Sequence, residues 1–190
     1  MVRRFLPALL GVLLASQARA ATLDGVTLPD RYPVEGQSLV LNGIGVRTLT
    51  IFNVKVYVAG LYLPQQSHDA QQILASTGSK VLLLQFLHSG SKADVEKEYR
   101  AGETTNCGSG GCNPADAADF EKLVAAAPAV KVGDTSTYIF TAHGFKLLAN
   151  NRPIAEFNNP DLAARILSGF IGEHPPSTEL RSALLGQAAD

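Results

Sequence analysis

Hydrophobic residues change their spacing several times along this chain, and each spacing predicts a different element. From 22 to 65 the pattern is strand-like. Leu23, Val26 and Leu28 alternate with polar positions, and Pro29 to Pro33 is expected to turn the chain. Ser38–Asn42 runs on into Gly43–Arg47, and Thr48–Ile51 is rich in β-branched residues. Val54–Leu63 is a further strand by its Val and Tyr content, ended by Pro64. Val81–Leu87 is a continuous apolar run, as expected for a central strand buried on both faces.

Helical spacing appears in five places. His68–Ser76 predicts a short helix. Ser91 is placed to cap a helix running through Val95, Glu98 and Tyr99, and Asn113-Pro114 opens another with Phe120, Leu123 and Val124 on one face. Strands return over 137–149 around Gly144, and at Ile154–Phe157 after the Asn150-Asn151 turn. Asn159-Pro160 and Ser177 then start two helices, with Leu162, Ile166, Leu167 and Phe170 on the first and Leu180, Leu184 and Leu185 on the second. Strands, helices, a hairpin and two more helices make an α+β order, not a βαβ repeat. The expected architecture is a large antiparallel sheet with helices packed on one side.

The first twenty residues follow a different logic. Arg3 and Arg4 precede an apolar stretch from Phe5 to Ala15, and Ala18-Arg19-Ala20 offers small residues at a cleavage site. This is the pattern of a secretory signal peptide cut after Ala20, with a transmembrane anchor as the alternative. The apolar run falls short of the roughly 20 residues a membrane span needs. Residues 21–190 are then expected to form one exported domain, in a bacterial periplasm if the absence of eukaryotic sorting signals is followed. Cleavage removes Arg3, Arg4 and Arg19 and no acid, which changes 16 basic against 17 acidic residues to thirteen against seventeen and a formal charge of −4.

Composition narrows the function classes. With 46% hydrophobic and 17% charged residues the chain is globular rather than disordered. No basic run follows the first four residues, which argues against a nucleic-acid binder held by phosphates. Two cysteines exclude a Cys₄ zinc site. Cys107 and Cys112 bracket four small residues, and in an exported protein a disulfide closing this tight loop is the expected reading, worth about 2 kcal/mol. A redox or metal-binding pair is the alternative. His68, His88, His143 and His174 form no ligand-spaced pair, so no metal site is expected. Gly43-Ile44-Gly45 lacks the third glycine and following helix of a dinucleotide fingerprint, so a turn is expected there, and Ser89-Gly90-Ser91 is no nucleophile elbow.

Leu41-Asn-Gly-Ile-Gly-Val-Arg47, followed by Lys55-Val-Tyr-Val-Ala-Gly-Leu-Tyr-Leu63, resembles the N-terminal core of the chalcone isomerase family. Ala164–Gly172 and the helix after it resemble that family's C-terminal pair of helices, so the likeness spans roughly 36–186. The resemblance implies an open-faced β-sandwich, a large antiparallel sheet covered by a layer of helices. The family includes flavonoid-cyclising isomerases, fatty-acid-binding proteins and haem-binding members, so fold alone does not set the function.

By the same resemblance Arg47 falls on the family arginine that holds an anionic oxygen, a task suited to a permanently charged guanidinium. A salt-bridged arginine at a strand end is the alternative. The remaining isomerase positions are replaced: the threonine by Tyr57, the tyrosine near Ala93, the asparagine near Arg100, and the Ser/Thr of the penultimate helix by Gly169. Arg47 with Tyr57 is similar to the pair that grips a carboxylate in the fatty-acid-binding relatives. The expectation is therefore a binder of a small amphipathic anion such as a fatty acid, with Arg47, Tyr57 and Gly169 at its site and no cofactor. Leu61, Leu83, Phe86 and Phe170 are candidates for the cleft lining, with plain core packing as the alternative for each. His88 is the one candidate haem ligand by analogy. Two other functions stay open: an isomerase or intramolecular lyase using Arg47 and Tyr57 on an enone-type substrate, and an envelope interaction module. Oligomeric state is not legible.

Overall fold

The computed structural model describes residues 20–49, 52–107 and 113–187, with backbone alone at 104–106. The expected leader lies outside them except for Ala20, and so does Cys112. A hairpin of β1 (Ala20–Leu23) and β2 (Val26–Pro29) stands apart from a seven-stranded antiparallel sheet. That sheet runs in chain order: β3 (Arg31–Val34), β4 (Gln37–Leu49), β5 (Val54–Leu63), β6 (Lys80–Phe86), β7 (Thr135–Thr141), β8 (Gly144–Ala149) and β9 (Arg152–Phe157). β6 is its middle strand, which explains the unbroken apolar run there.

Two-residue turns join the early strands. Asp24-Gly25 and Glu35-Gly36 both hold positive φ, the mirror-image turn geometry whose twist matches that of paired strands. The expected turn from Pro29 to Pro33 is shorter than the sequence suggested. Pro33 lies inside β3, an edge strand, where a missing N–H is tolerated. Gly43–Gly45, expected as a turn, lies inside β4 instead: the strand runs unbroken through it and absorbs the irregularity as bulges near Gly43 and Arg47.

The helices start where their caps predict. α1 (Ala70–Ala75) is capped by the Asp69 carboxylate, which accepts from the Gln71 and Gln72 N–H groups. α2 (Lys92–Cys107) opens on a reciprocal box: the Asp94 N–H donates to Ser91 Oγ, and the Ser91 N–H and O–H donate to the Asp94 carboxylate. α3 (Pro114–Ala126) and α4 (Pro160–Ile171) each have an Asn cap followed by Pro, and α5 (Thr178–Leu184) is capped by Ser177.

Alternation in β5 separates the two faces of the sheet. Tyr57, Ala59, Leu61 and Leu63 point to the helices and join the main core with Phe120, Leu123, Leu162, Leu167, Ile171, Leu180 and Leu184. Val58 and Tyr62 point the other way. The sequence placed helices on one side and nothing on the other; the β1–β2 hairpin covers part of that second face, packing Val26 and Leu28 on Val58. Gly60 admits it, since a Cβ there would lie 2.6 Å from the Leu28 side chain. The hairpin turn is tied down by an ion pair between Asp24 and Lys55.

Candidate functional site

The Gly-x-Gly-x-Arg segment of β4 has a mechanical explanation. Residues 43, 45 and 47 share the helix-covered face. A Cβ at Gly43 would stand 2.0 Å from the Ala183 carbonyl oxygen, and one at Gly45 would stand 2.7 Å from the Ala183 Cβ. α5 therefore lies with its backbone directly on β4, possible only over bare glycines. Arg47 comes two residues after Gly45 on the same face, beyond the part of β4 that α5 covers. Its guanidinium reaches the Thr48 carbonyl at 3.0 Å and makes no ion pair within 4 Å among the described residues. The salt-bridged alternative is thus not what the structure shows.

Tyr57 is the cross-strand partner of Arg47, so both side chains leave the sheet on the same face. A bulge follows at once, with Thr48 opposite Lys55, and Val56 is the extra residue. The irregularity lets Val56 and Tyr57, neighbours in sequence, line one cavity. Tyr57 also meets the Phe86 ring edge-on at 5.9 Å.

The cavity is about 570 Å³, within the usual range for small-molecule sites. Arg47, Tyr57 and Gly169 all line it. The sheet forms its floor through Leu84, Phe86, Tyr138 and Leu147, α4 one wall through Leu162, Ile166 and Phe170, and α2 the roof through Val95 and Tyr99. Of the expected lining residues, Phe86 and Phe170 are present. Leu61 is instead fully buried in the core. Leu83 faces away from the cavity, because Leu82 and Leu84 take the helix side. Ala93 and Arg100 do not reach the cavity; both are exposed on α2, and Arg100 pairs with Glu121 of α3.

Two phenols not expected at the site also line the cavity. Tyr99 comes up from α2 and Tyr138 from β7, with their hydroxyls 2.5 Å apart. The signal for Tyr99 was its helical phase, one turn after Val95; for Tyr138 it was strand alternation with Phe140. Burial pushes the Tyr99 phenol up to about 12, with the bond to Tyr138 pulling slightly back. Burial pushes Tyr57 higher still; Arg47 draws it down, and Glu98 and Tyr99 add to the rise. Tyr138 is raised by burial and by its phenol neighbours. All three are neutral hydrogen-bond donors at neutral pH.

His88 and His174 also touch the cavity. His88, the candidate haem ligand, is exposed where it meets the cavity. Among the described residues no three His, Cys, Asp or Glu side chains converge on a metal-sized point. Cys107 lies at the end of α2 and lines the cavity; its expected bridge to Cys112 falls outside the described residues. The most buried acid, Asp116, is fully engaged by Asn113, Asn159 and Arg165, and ties the starts of α3 and α4 together. No helix among the described residues is long and apolar enough to cross a membrane.

An Arabidopsis thaliana fatty-acid binding protein, known from its crystal structure, matches this chain with a TM-score of 0.70 and 14% identity, over 88% of this chain and 96% of that one. At that identity the likeness is one of fold. No curated protein sequence matches. A family model described as chalcone isomerase-like matches residues 20–186. With the curled antiparallel sheet, its helical layer and that match over most of its length, this chain belongs to the chalcone isomerase-like family.

Proposed function

We propose that this protein binds a small amphipathic anion, a fatty acid being the simplest fit, and that it does so without flavonoid-type catalysis. One observation carries the reading: a guanidinium with no ion-pair partner within 4 Å among the described residues, set beside a neutral phenol, opens into a cavity whose walls are otherwise mainly apolar. Arg47 gives the carboxylate charge-assisted bonds, Tyr57 adds an O–H donor, and the space under α2 buries the hydrocarbon. The fold neighbour described as a fatty-acid binding protein supports the same reading. An interaction module would have no need of such an interior. An isomerase would need the polar partners of the arginine, and the positions expected for two of them, near Ala93 and Arg100, point into solvent.

Export to the periplasm and a Cys107–Cys112 bridge belong to the same proposal, motivated by the leader pattern and the cysteine spacing. Alkylation of the exported protein with and without reductant tests the bridge: labelling only after reduction is expected, and labelling without it overturns the pairing.

Native mass spectrometry of the mature chain with fatty acids of graded length tests the function. One acid per chain is expected. Arg47→Ala removes bonds worth about 1.5–3 kcal/mol, so binding weakens about ten- to a hundredfold. Absence of any bound acid, or equal binding by the variant, sinks the proposal, and turnover of a chalcone-like enone that Arg47→Ala abolishes would replace it with the enzymatic reading.

A further inference from the structure

The hydroxyls of Tyr99 and Tyr138 satisfy each other only in part. Each phenol carries one O–H donor, so the pair has two protons. The single bond between them, 2.5 Å long, uses one. No second partner of either hydroxyl is present among the described residues. The ring contacts around the pair are apolar: Tyr138 meets Phe140, Phe145 and Phe170, and Tyr99 meets Phe120. Tyr57, the third phenol of the cavity, acts on both through space, and no hydrogen bond joins it to either among the described residues. Tyr138 is 3% exposed, and what it faces is the cavity. A polar group this enclosed is costly to leave unpaired, so one phenol proton stands ready for an oxygen brought in by the occupant.

We propose that this phenol pair is a second polar subsite, which receives an acceptor oxygen carried part-way along the ligand, so that the preferred ligand is an oxo fatty acid rather than a plain one. The inference rests on the anionic-ligand reading and deepens it. Arg47 and Tyr57 hold the carboxylate, and the Tyr99–Tyr138 pair measures where along the chain the second oxygen lies. Burial keeps these phenols protonated, which suits a donor role.

The test compares octadecanoic acid with a series of oxo-octadecanoic acids whose carbonyl is moved along the chain. In the wild-type protein one position is expected to bind about three- to tenfold tighter than the plain acid, the worth of one net hydrogen bond. Either single Phe variant still leaves one phenol proton, so the decisive variant is Tyr99→Phe with Tyr138→Phe, in which the ratio of the two affinities falls to one. The ketone stretch of the bound oxo acid gives an independent readout: it lies at lower frequency in the wild type than in the double variant. No preference at any carbonyl position, or a preference that survives in the double variant, overturns the subsite. If the plain acid binds and depends on Arg47 while no oxo acid is preferred, only this inference falls; if neither acid binds, both readings fall.

Discussion

α5 and α2 cover the same face of the same sheet and do opposite things there. α5 has seven residues, buries Leu180 and Leu184 completely, and rests its backbone on Gly43 and Gly45. α2 has sixteen residues, and none of its described side chains is fully buried. It is held at a distance, by the Arg100–Glu121 pair and a Lys92 bond to the Ala125 carbonyl on α3, and by the Tyr99–Tyr138 bond across the cavity. One helix seals the sheet and the other roofs a space. Helix length therefore says little about stabilisation here; what lies beneath the helix decides it.

Leu184→Ala should break that contrast most sharply. It opens a cavity under the sealed helix and is expected to cost about 2–5 kcal/mol, read as a fall in the urea midpoint. Val95→Ala, in the roof itself, leaves a half-buried side chain shorter beside an existing cavity and is expected to cost less than about 1 kcal/mol. Equal losses at the two sites contradict the comparison.

Gly43→Ala comes next. The new methyl would sit against the Ala183 backbone carbonyl, which cannot swing aside as a side chain would. A loss of about 1–3 kcal/mol is expected, with hydrogen exchange accelerating in α5 before α2. Unchanged exchange in α5 would count against the close backbone contact.

Alkaline pH acts on the roofed side. Tyr99, raised by burial to about 12, and Tyr57 and Tyr138, raised by the same cause, ionise more readily unfolded than folded. Their contribution to stability is complete below the unfolded phenol value of about 10 and is lost as pH rises from there through the folded values. Denaturation midpoints should hold flat to about that pH and then fall, and tyrosinate absorbance should appear late in the folded protein. Early tyrosinate absorbance from these three phenols would show the cavity to be wetter than described.

The smallest expected effect is that of Arg100→Ala. An exposed ion pair to Glu121 is screened by solvent and adds little, so the melting point should hardly move. Exchange of α2 amides should still quicken, because this pair is one of the ties that hold the roof.

Much of the fold was legible because its signals are local. The apolar run of β6, the Asn-Pro starts of α3 and α4, and the Ser177 cap need only neighbours in sequence. The hairpin over the second face was not legible, since Val26 and Leu28 read as one more alternating strand and nothing local says which sheet they join. Arg47, Tyr57 and Gly169 were picked out through a family likeness, and the structure brings them to one cavity. Tyr99 and Tyr138 escaped because a tyrosine on a helix and one on a strand, 39 positions apart, look like ordinary core until the hydroxyls are seen to meet. The glycines at 43 and 45 carried no chemistry in the sequence, yet they let the α5 backbone lie on β4 just before Arg47.

The most direct measurement is a crystal structure of the mature chain with a brominated fatty acid. The carboxylate is expected within hydrogen-bond distance of the Arg47 guanidinium and the Tyr57 hydroxyl, with the bromine signal under α2 between Phe86 and Phe170. A carboxylate pointing to solvent, or an acid bound outside the cavity, would contradict the account.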